Sequence, residues 1–132
     1  MWNKLKNNYF DLGVRVFWLD ACEPELNPGH PSNLRFYAGK GLNVSNLYPR
    51  ENARMIWEGM CEQGEDQFLT LCRSAWAGQA KYGAAVWSGD IGPTWEALYT
   101  QVRAGQSIGI AGIPWWTSDI GGFHGGDPSN PA

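Results

Sequence analysis

The sequence predicts an α/β fold built on a parallel sheet of about four strands. Short, nearly continuous apolar runs alternate with segments whose apolar residues recur every three or four positions. This alternation favours parallel pairing, and strands that are apolar throughout are typical of a sheet covered on both faces. At 132 residues the chain holds at most one domain, and 43% hydrophobic residues are enough for a folded core.

Each predicted element has a local signal. An opening helical pattern ends at Gly13, and Gly64 and Gly105 fall where the two longer helices would end. Thr94 is a candidate N-cap. The loop over residues 21–48 greatly exceeds the usual ~4–6 residues, which favours a functional role. The predicted strands cover residues 14–20, 68–73, 84–88 and 108–113, and the predicted helices cover residues 51–63 and 94–104.

The number of strands leaves two architectures open. A complete (β/α)8 barrel has eight parallel strands and about 250 residues. The pattern therefore fits either a small open α/β domain or about half of such a barrel.

Charge and hydropathy exclude several kinds of partner. A net charge of -3 provides no basic face, so we expect no nucleic-acid partner. No apolar run approaches the ~20 residues of a membrane-spanning helix, so we expect no membrane partner. The eight tryptophans fit a large core, a protein interface or a sugar-binding cleft, and composition alone does not choose among them.

The three cysteines, Cys22, Cys61 and Cys72, lack the spacing of a zinc site. We therefore expect small, buried, unpaired thiols and no bound metal. Free cysteines favour a reducing, cytoplasmic compartment, although a signal peptide would lie upstream of these residues. The sequence leaves the oligomeric state open.

Two acidic residues stand at the ends of predicted strands. Asp20 ends the first strand and Asp90 follows the third. Carboxyl ends of parallel strands meet at one edge of a sheet, which is where active residues of α/β proteins lie. Glycoside hydrolysis requires such a carboxylate pair. For either aspartate taken alone, a structural role in a turn or a helix cap is the favoured interpretation.

Other polar and aromatic residues occupy the same predicted edge. Arg73 ends the second strand, where a guanidinium could donate to sugar hydroxyls and keep a nearby carboxylate ionised. An ordinary surface arginine is the alternative. Asp119 and Phe123 follow the last predicted strand.

Four segments together resemble glycoside hydrolase family 31, which contains α-glucosidases, α-xylosidases and some α-galactosidase-type enzymes. They occur in the family's order across nearly the whole chain, which makes the set far more specific than any one segment. They are FWLDACEPE (residues 17–25), RSAWAGQ (73–79), WSGDI (87–91) and WTSDIGGF (116–123).

The resemblance implies a (β/α)8 TIM barrel and an exo-acting, retaining α-glycosidase of the α-glucosidase or α-xylosidase type. It would cleave terminal α-linked sugars from an oligosaccharide or other α-glycoside through a covalent glycosyl-enzyme, with no metal or organic cofactor. By resemblance, Asp20 on the fourth barrel strand is the nucleophile and Asp90 after the sixth is the general acid/base. The residues resembling those that contact the sugar are Trp18, Arg73, Trp87, Asp119 and Phe123.

Residues 1–132 would then be a segment of the catalytic barrel, without its remaining strands and flanking β-domains. On its own this segment is expected to be inactive. Two alternatives stay open: an α-galactosidase-type or glucosyl-transferring member of the family, and a non-catalytic, Trp-rich carbohydrate-binding fragment. The carboxylate pair discriminates against the last, because binding alone does not require it.

Overall fold

A computed structural model describes residues 1–24, 30–127 and 129. Short 3-10 helices cover Phe10–Leu12, Pro31–Asn33 and Gln79–Tyr82. The helices and strands, in chain order, are α1 (Trp2–Asn8), β1 (Phe17–Leu19), β2 (Arg35–Phe36), β3 (Gly39–Lys40), α2 (Gly41–Val44), α3 (Leu47–Glu62), β4 (Thr70–Cys72), β5 (Ala84–Trp87), α4 (Trp95–Ile110) and β6 (Trp116–Thr117).

The main sheet confirms the predicted parallel α/β arrangement. Its four strands lie in the order β1-β4-β5-β6, and every pairing is parallel. Phe17 pairs with Thr70, and Thr70 pairs with Ala84, so the strand ends are level with one another. Strands β2 and β3 form a separate antiparallel pair within the predicted long loop. Residues 25–29 of that loop, including Glu25 of the first motif, lie outside the described residues.

The two faces of the sheet differ in burial. Alternate strand residues point to opposite faces. One set packs against α3 and α4, where Ile56 and Met60 are fully buried and Ile108 is partly buried. The other set includes Trp18, whose exposed fraction is 65%, and the buried Trp87, so this face is only partly covered. The buried residues of the first set are Phe17, Thr70, Cys72, Ala84 and Val86.

The predicted strand over residues 108–113 is wrong. Helix α4 continues to Ile110, and the fourth strand lies at Trp116–Thr117. The apolar run from Ile108 to Ile113, just after the apparent helix end at Gly105, suggested a strand. Ile108, however, continues the helical face that packs on the core, and its carbonyl accepts a hydrogen bond from the Ile113 N–H at 3.1 Å. Gly105 therefore lies inside the helix rather than beyond its end.

Other predicted boundaries shift by a few residues. Strand β1 is shorter than predicted, and α3 begins at Leu47 because Pro49 fits within a first helical turn. The Thr94 cap is confirmed, since its Oγ1 accepts a hydrogen bond from the Ala97 N–H at 3.0 Å.

The expectation that all cysteines are buried fails at Cys61, which faces solvent in the last turn of α3. Within the described residues, no helix is long and apolar enough to cross a bilayer.

Helix α4 packs on Trp116 through Gly105. A Cβ at Gly105 would lie 2.6 Å from Trp116 Cδ1, whereas one at Gly109 would meet nothing within 4 Å. We expect Gly105→Ala to lower the free energy of unfolding by about 1 kcal/mol, because overpacking costs ~1–3 kcal/mol and helix propensity regains at most ~1 kcal/mol. Gly109→Ala, the control, should raise it by up to about 1 kcal/mol. Thermal denaturation of both variants measures the signs; a stabilising Gly105→Ala would contradict this packing.

Candidate active site

The sheet brings three of the predicted site residues to one edge. Asp20 follows β1 directly, Arg73 follows β4 directly, and Asp90 lies three residues beyond the end of β5. Because the three strands are parallel and level, their carboxyl ends lie side by side. This edge is where α/β proteins carry their active residues.

Arg73 links the carboxylates at this edge. Its Nε lies 2.8 Å from Glu23 Oε1 and 3.5 Å from Asp20 Oδ1. Partial desolvation acts to lower the pKa of Arg73, but the Glu23, Asp20 and Asp90 carboxylates outweigh it and raise that pKa. The guanidinium is therefore a permanent cation paired with Glu23 and Asp20, and a Cβ at Gly89, the residue before Asp90, would lie 3.9 Å from Arg73 Cδ.

A strained turn follows Asp20. Ala21 has φ +47°, the only positive φ at a non-glycine residue among those described. This left-handed conformation costs an alanine about 1–2 kcal/mol. The Ala21 N–H donates to Asp20 Oδ1 at 2.8 Å, and Cys22 turns inward, with its Sγ 3.2 Å from Ser74 Oγ. The turn thus packs onto the residues that follow β4.

Two tryptophans form the apolar part of the site. Trp18 and Trp87 make an edge-to-face contact, with ring centroids 5.6 Å apart and an interplanar angle of 71°. Trp87 is buried, whereas Trp18 is largely exposed. Trp87 therefore supports Trp18 and leaves much of the Trp18 indole open to solvent.

Asp119 and Phe123 lie on the segment after β6. The Phe123 N–H donates to the Ile91 carbonyl at 2.9 Å, which ties this segment to the residue beside Asp90. Asp119 lines a cleft of about 380 Å³ that also borders Trp95 and α4. Its Oδ2 is buried and has no hydrogen-bond partner among the described residues. Neither Asp20 nor Asp90 lines this cleft, so Asp119 lies beside the residues around Arg73 and is not one of them.

Glu23 is the residue of this site that the sequence did not indicate. It belongs to the first family motif, but no catalytic or binding role is predicted for it from the sequence. Its contact with Arg73 spans 50 positions of the chain, so no local pattern predicts it. The available signal was an acidic residue shortly after one strand end and an arginine at the neighbouring strand end.

Two buried thiols lie beneath the strained turn. Cys22 and Cys72 are both nearly inaccessible, and the Gln79 side-chain amide donates to Cys72 Sγ at 3.2 Å. A hydrogen bond with the Cys72 thiol, helped by Ser74 and opposed by burial, lowers the pKa of Cys22 to about 6. The same contact and burial raise the pKa of Cys72.

We expect a thiolate absorbance step near pH 6 in the native protein, arising from Cys22. Cys72→Ala removes the main hydrogen bond to that thiol, so the step should move up toward the ordinary value of 9.0. Titration at 240 nm measures the shift. Cys61→Ala, which changes the exposed thiol, is the control and should leave the step unchanged. A step that stays near pH 6 in Cys72→Ala would contradict this coupling.

The whole chain matches a known protein family. Residues 1–132 match the model described as the glycosyl hydrolases family 31 TIM-barrel domain. An uncharacterized family 31 glucosidase of Pseudescherichia vulneris is 45% identical over 132 residues, which covers all of this chain and 25% of that protein. An α-xylosidase of Saccharolobus solfataricus is 38% identical over 138 residues, which covers 99% of this chain and 18% of that protein. The chain thus spans a quarter or less of these two relatives.

Solved structures show the same fold. An α-xylosidase from a soil metagenome, crystallised with xylose, matches with TM-score 0.94 and 53% identity, covering 99% of this chain and 19% of that one. A Flavobacterium johnsoniae dextranase, complexed with glucose, matches with TM-score 0.80 and 26% identity, covering 92% of this chain and 16% of that one. The four-stranded parallel sheet is therefore that of a partial TIM barrel.

Proposed function

Since this chain belongs to glycosyl hydrolase family 31, we propose that it carries both carboxylates of a retaining α-glycoside hydrolase. Asp20 is the nucleophile and Asp90 is the general acid/base. The observation that carries this proposal is the position of Arg73, whose Nε lies 3.5 Å from Asp20 Oδ1 and whose Cδ would lie 3.9 Å from a Cβ at Gly89, the residue before Asp90.

The first chemical step forms a covalent intermediate. An Asp20 oxygen attacks the anomeric carbon on the face opposite the leaving oxygen, while Asp90 gives its proton to that oxygen as the glycosidic bond breaks. The Ala21 N–H and Arg73 Nε both face Asp20 Oδ1, which leaves Oδ2 as the attacking atom. The aglycone departs as an alcohol.

The second step releases the sugar. Asp90, now a carboxylate, takes a proton from water as the water oxygen attacks the anomeric carbon, and the bond to Asp20 breaks. Two inversions leave the product in the α configuration. Such a mechanism needs the two carboxyl groups about 5–5.5 Å apart, close enough for one guanidinium to interact with both.

The remaining predicted residues have binding roles in this proposal. The exposed Trp18 indole offers an apolar surface to a pyranose face, and Trp87 fixes its position. Asp119 and Phe123 are proposed as sugar contacts from the family motif, and the hydrogen bond from Phe123 to Ile91 supports a place near Asp90. An α-xyloside is the first candidate substrate because an α-xylosidase is 53% identical to this chain, and an α-glucoside is the second.

We further propose that these residues act within a longer polypeptide. The described sheet has β1 and β6 as open edges. A closed barrel removes such edges by pairing them with its remaining strands. This chain covers 25% of its glucosidase relative, which has ample length for the missing strands. The activity is therefore assigned to the longer polypeptide, and the isolated chain is expected to be inactive.

Removing either carboxylate from that longer polypeptide should impair a different step of the reaction. With an aryl α-xyloside bearing an activated leaving group, Asp90→Ala should still form the covalent intermediate but stall before hydrolysis. Azide needs no base, so it should restore turnover and give an α-glycosyl azide. With a poor leaving group the same variant should lose about 10²–10⁴-fold in rate. Asp20→Ala should give only a β-glycosyl azide, because the azide then attacks the face that Asp20 occupied.

The anomeric configuration of the azide adducts measures these outcomes. Asp66→Ala, at an exposed position between α3 and β4, is the control and should keep full activity. Exchanged configurations would reverse the two roles. Full activity in either variant would place the site elsewhere. Running aryl α-glucosides and α-galactosides in parallel identifies the preferred sugar.

A further inference from the structure

Glu23 makes the shortest contact of Arg73, 2.8 Å between Oε1 and Nε. We propose that Glu23 is a positioning residue, which holds the guanidinium beside Asp20 and keeps its outer nitrogens available to the sugar. This inference rests on the proposed function. Among the described residues, every hydrogen bond of Arg73 uses Nε, so Nη1 and Nη2 are left for another partner.

The backbone conformation of the turn after Asp20 places Glu23 next to Arg73. The left-handed Ala21 reverses the chain after Asp20, and two consecutive side chains then contact two consecutive residues after β4. Cys22 contacts Ser74, and Glu23 contacts Arg73. A strained conformation persists only where surrounding contacts over-determine it, and such strain concentrates at functional sites. The turn is therefore fixed at both of these contacts.

The charges explain why a carboxylate is needed at position 23. Arg73 forms ion pairs with two carboxylates, those of Glu23 and Asp20. Without Glu23, Arg73 is free to close the 3.5 Å gap to Asp20 and form a two-pronged ion pair with it. That pair would shield the attacking oxygen and withdraw the Nη donors from the sugar. Glu23 thus competes with the nucleophile for the cation and keeps the nucleophile accessible.

A second ion pair in the chain has the same geometry and serves as the control. Arg15 Nε lies 2.8 Å from Glu65 Oε1, at the opposite end of β1 from Asp20. Side-chain exposure is comparable, 44% and 34% for this pair against 28% and 43% for Arg73 and Glu23. Exposed ion pairs of this kind contribute little to stability. Any loss of activity specific to position 23 therefore reports its effect on the site.

The first test is a double-mutant cycle in the longer polypeptide that carries this chain. Glu23→Gln should lower kcat/KM about 10²-fold, mainly through kcat, because a misplaced group near the reacting atoms costs that much. Its melting temperature should stay unchanged, and Glu65→Gln should change neither quantity. In an Arg73→Ala background, Glu23→Gln should cost less than about twofold, because residues that act through one another are not additive.

Chemical rescue provides a second readout that a structural role would not move. Guanidinium chloride at millimolar concentration should restore part of the activity of Arg73→Ala, since Glu23 still offers an anionic site for the cation. Adding Glu23→Gln should raise the half-maximal guanidinium concentration at least about tenfold, as expected for the loss of a charged hydrogen bond. If Glu23→Gln does not fold, Glu23→Asp, which keeps the charge and shortens the reach, replaces it in both experiments.

The outcomes distinguish a failure of the role of Glu23 from a failure of the proposed glycosidase function. Additive losses in the cycle, or guanidinium rescue that is indifferent to position 23, would overturn the role of Glu23 and leave the glycosidase assignment standing. Absence of glycosidase activity in the unmodified polypeptide, or full activity of Arg73→Ala, would overturn the proposed function and the inference together.

Discussion

Parallel pairing in one level register is the constraint on which the site depends. Phe17, Thr70 and Ala84 lie side by side, so the next residues at the carboxyl ends of β1, β4 and β5 reach the same edge. Asp20 and Asp90 are 70 positions apart in sequence, yet they follow strands of the same edge on either side of Arg73, which follows β4. A slip of one residue in any strand would turn these side chains to the opposite face of the sheet. The same register that buries the core therefore orients the charged groups.

Because side chains alternate along each strand, the two faces of the sheet have different environments. Residues that point toward α3 and α4 form the buried clusters that hold the sheet in place. Residues that point the other way include Trp18, which is exposed above the buried Trp87. In a closed barrel that second face would be the packed interior, and its upper end would lie beneath the substrate. The buried core thus lies on one face of these short strands, and the proposed sugar-binding residue Trp18 lies on the other.

Local patterns predicted the features that depend on short stretches of sequence. Apolar runs located three strands, helical spacing located α3 and α4, and Thr94 marked the start of α4. The acids at the strand ends followed from the same reasoning. The fourth strand was misplaced because Gly105 looks like a helix end, whereas its bare Cα makes room for the Trp116 indole. That requirement arises from packing between distant residues, and nothing local distinguishes the two uses of glycine.

The side-chain contacts within the site could not be predicted from the sequence, because they too join residues that are far apart in the chain. The strained Ala21, the Cys22–Ser74 contact and the Glu23–Arg73 ion pair all depend on how the turn after β1 meets the end of β4. The family motif predicts which residues contact the substrate, but only the structure shows which side chains lie beside them. Asp119 illustrates the difference, because the motif groups it with the other predicted sugar contacts while the structure places it on a neighbouring cleft.

The identity of the nucleophile is the claim on which the mechanism rests, and trapping the intermediate tests it most directly. A 5-fluoro-glycosyl fluoride of the preferred sugar slows both steps but keeps a good leaving group, so the covalent intermediate accumulates. Peptide mass spectrometry of the trapped, longer polypeptide then locates the label. The account predicts a glycosyl ester on Asp20, within the FWLDACE segment. A label on Asp90, on Asp119 or on a carboxylate outside this chain would contradict it.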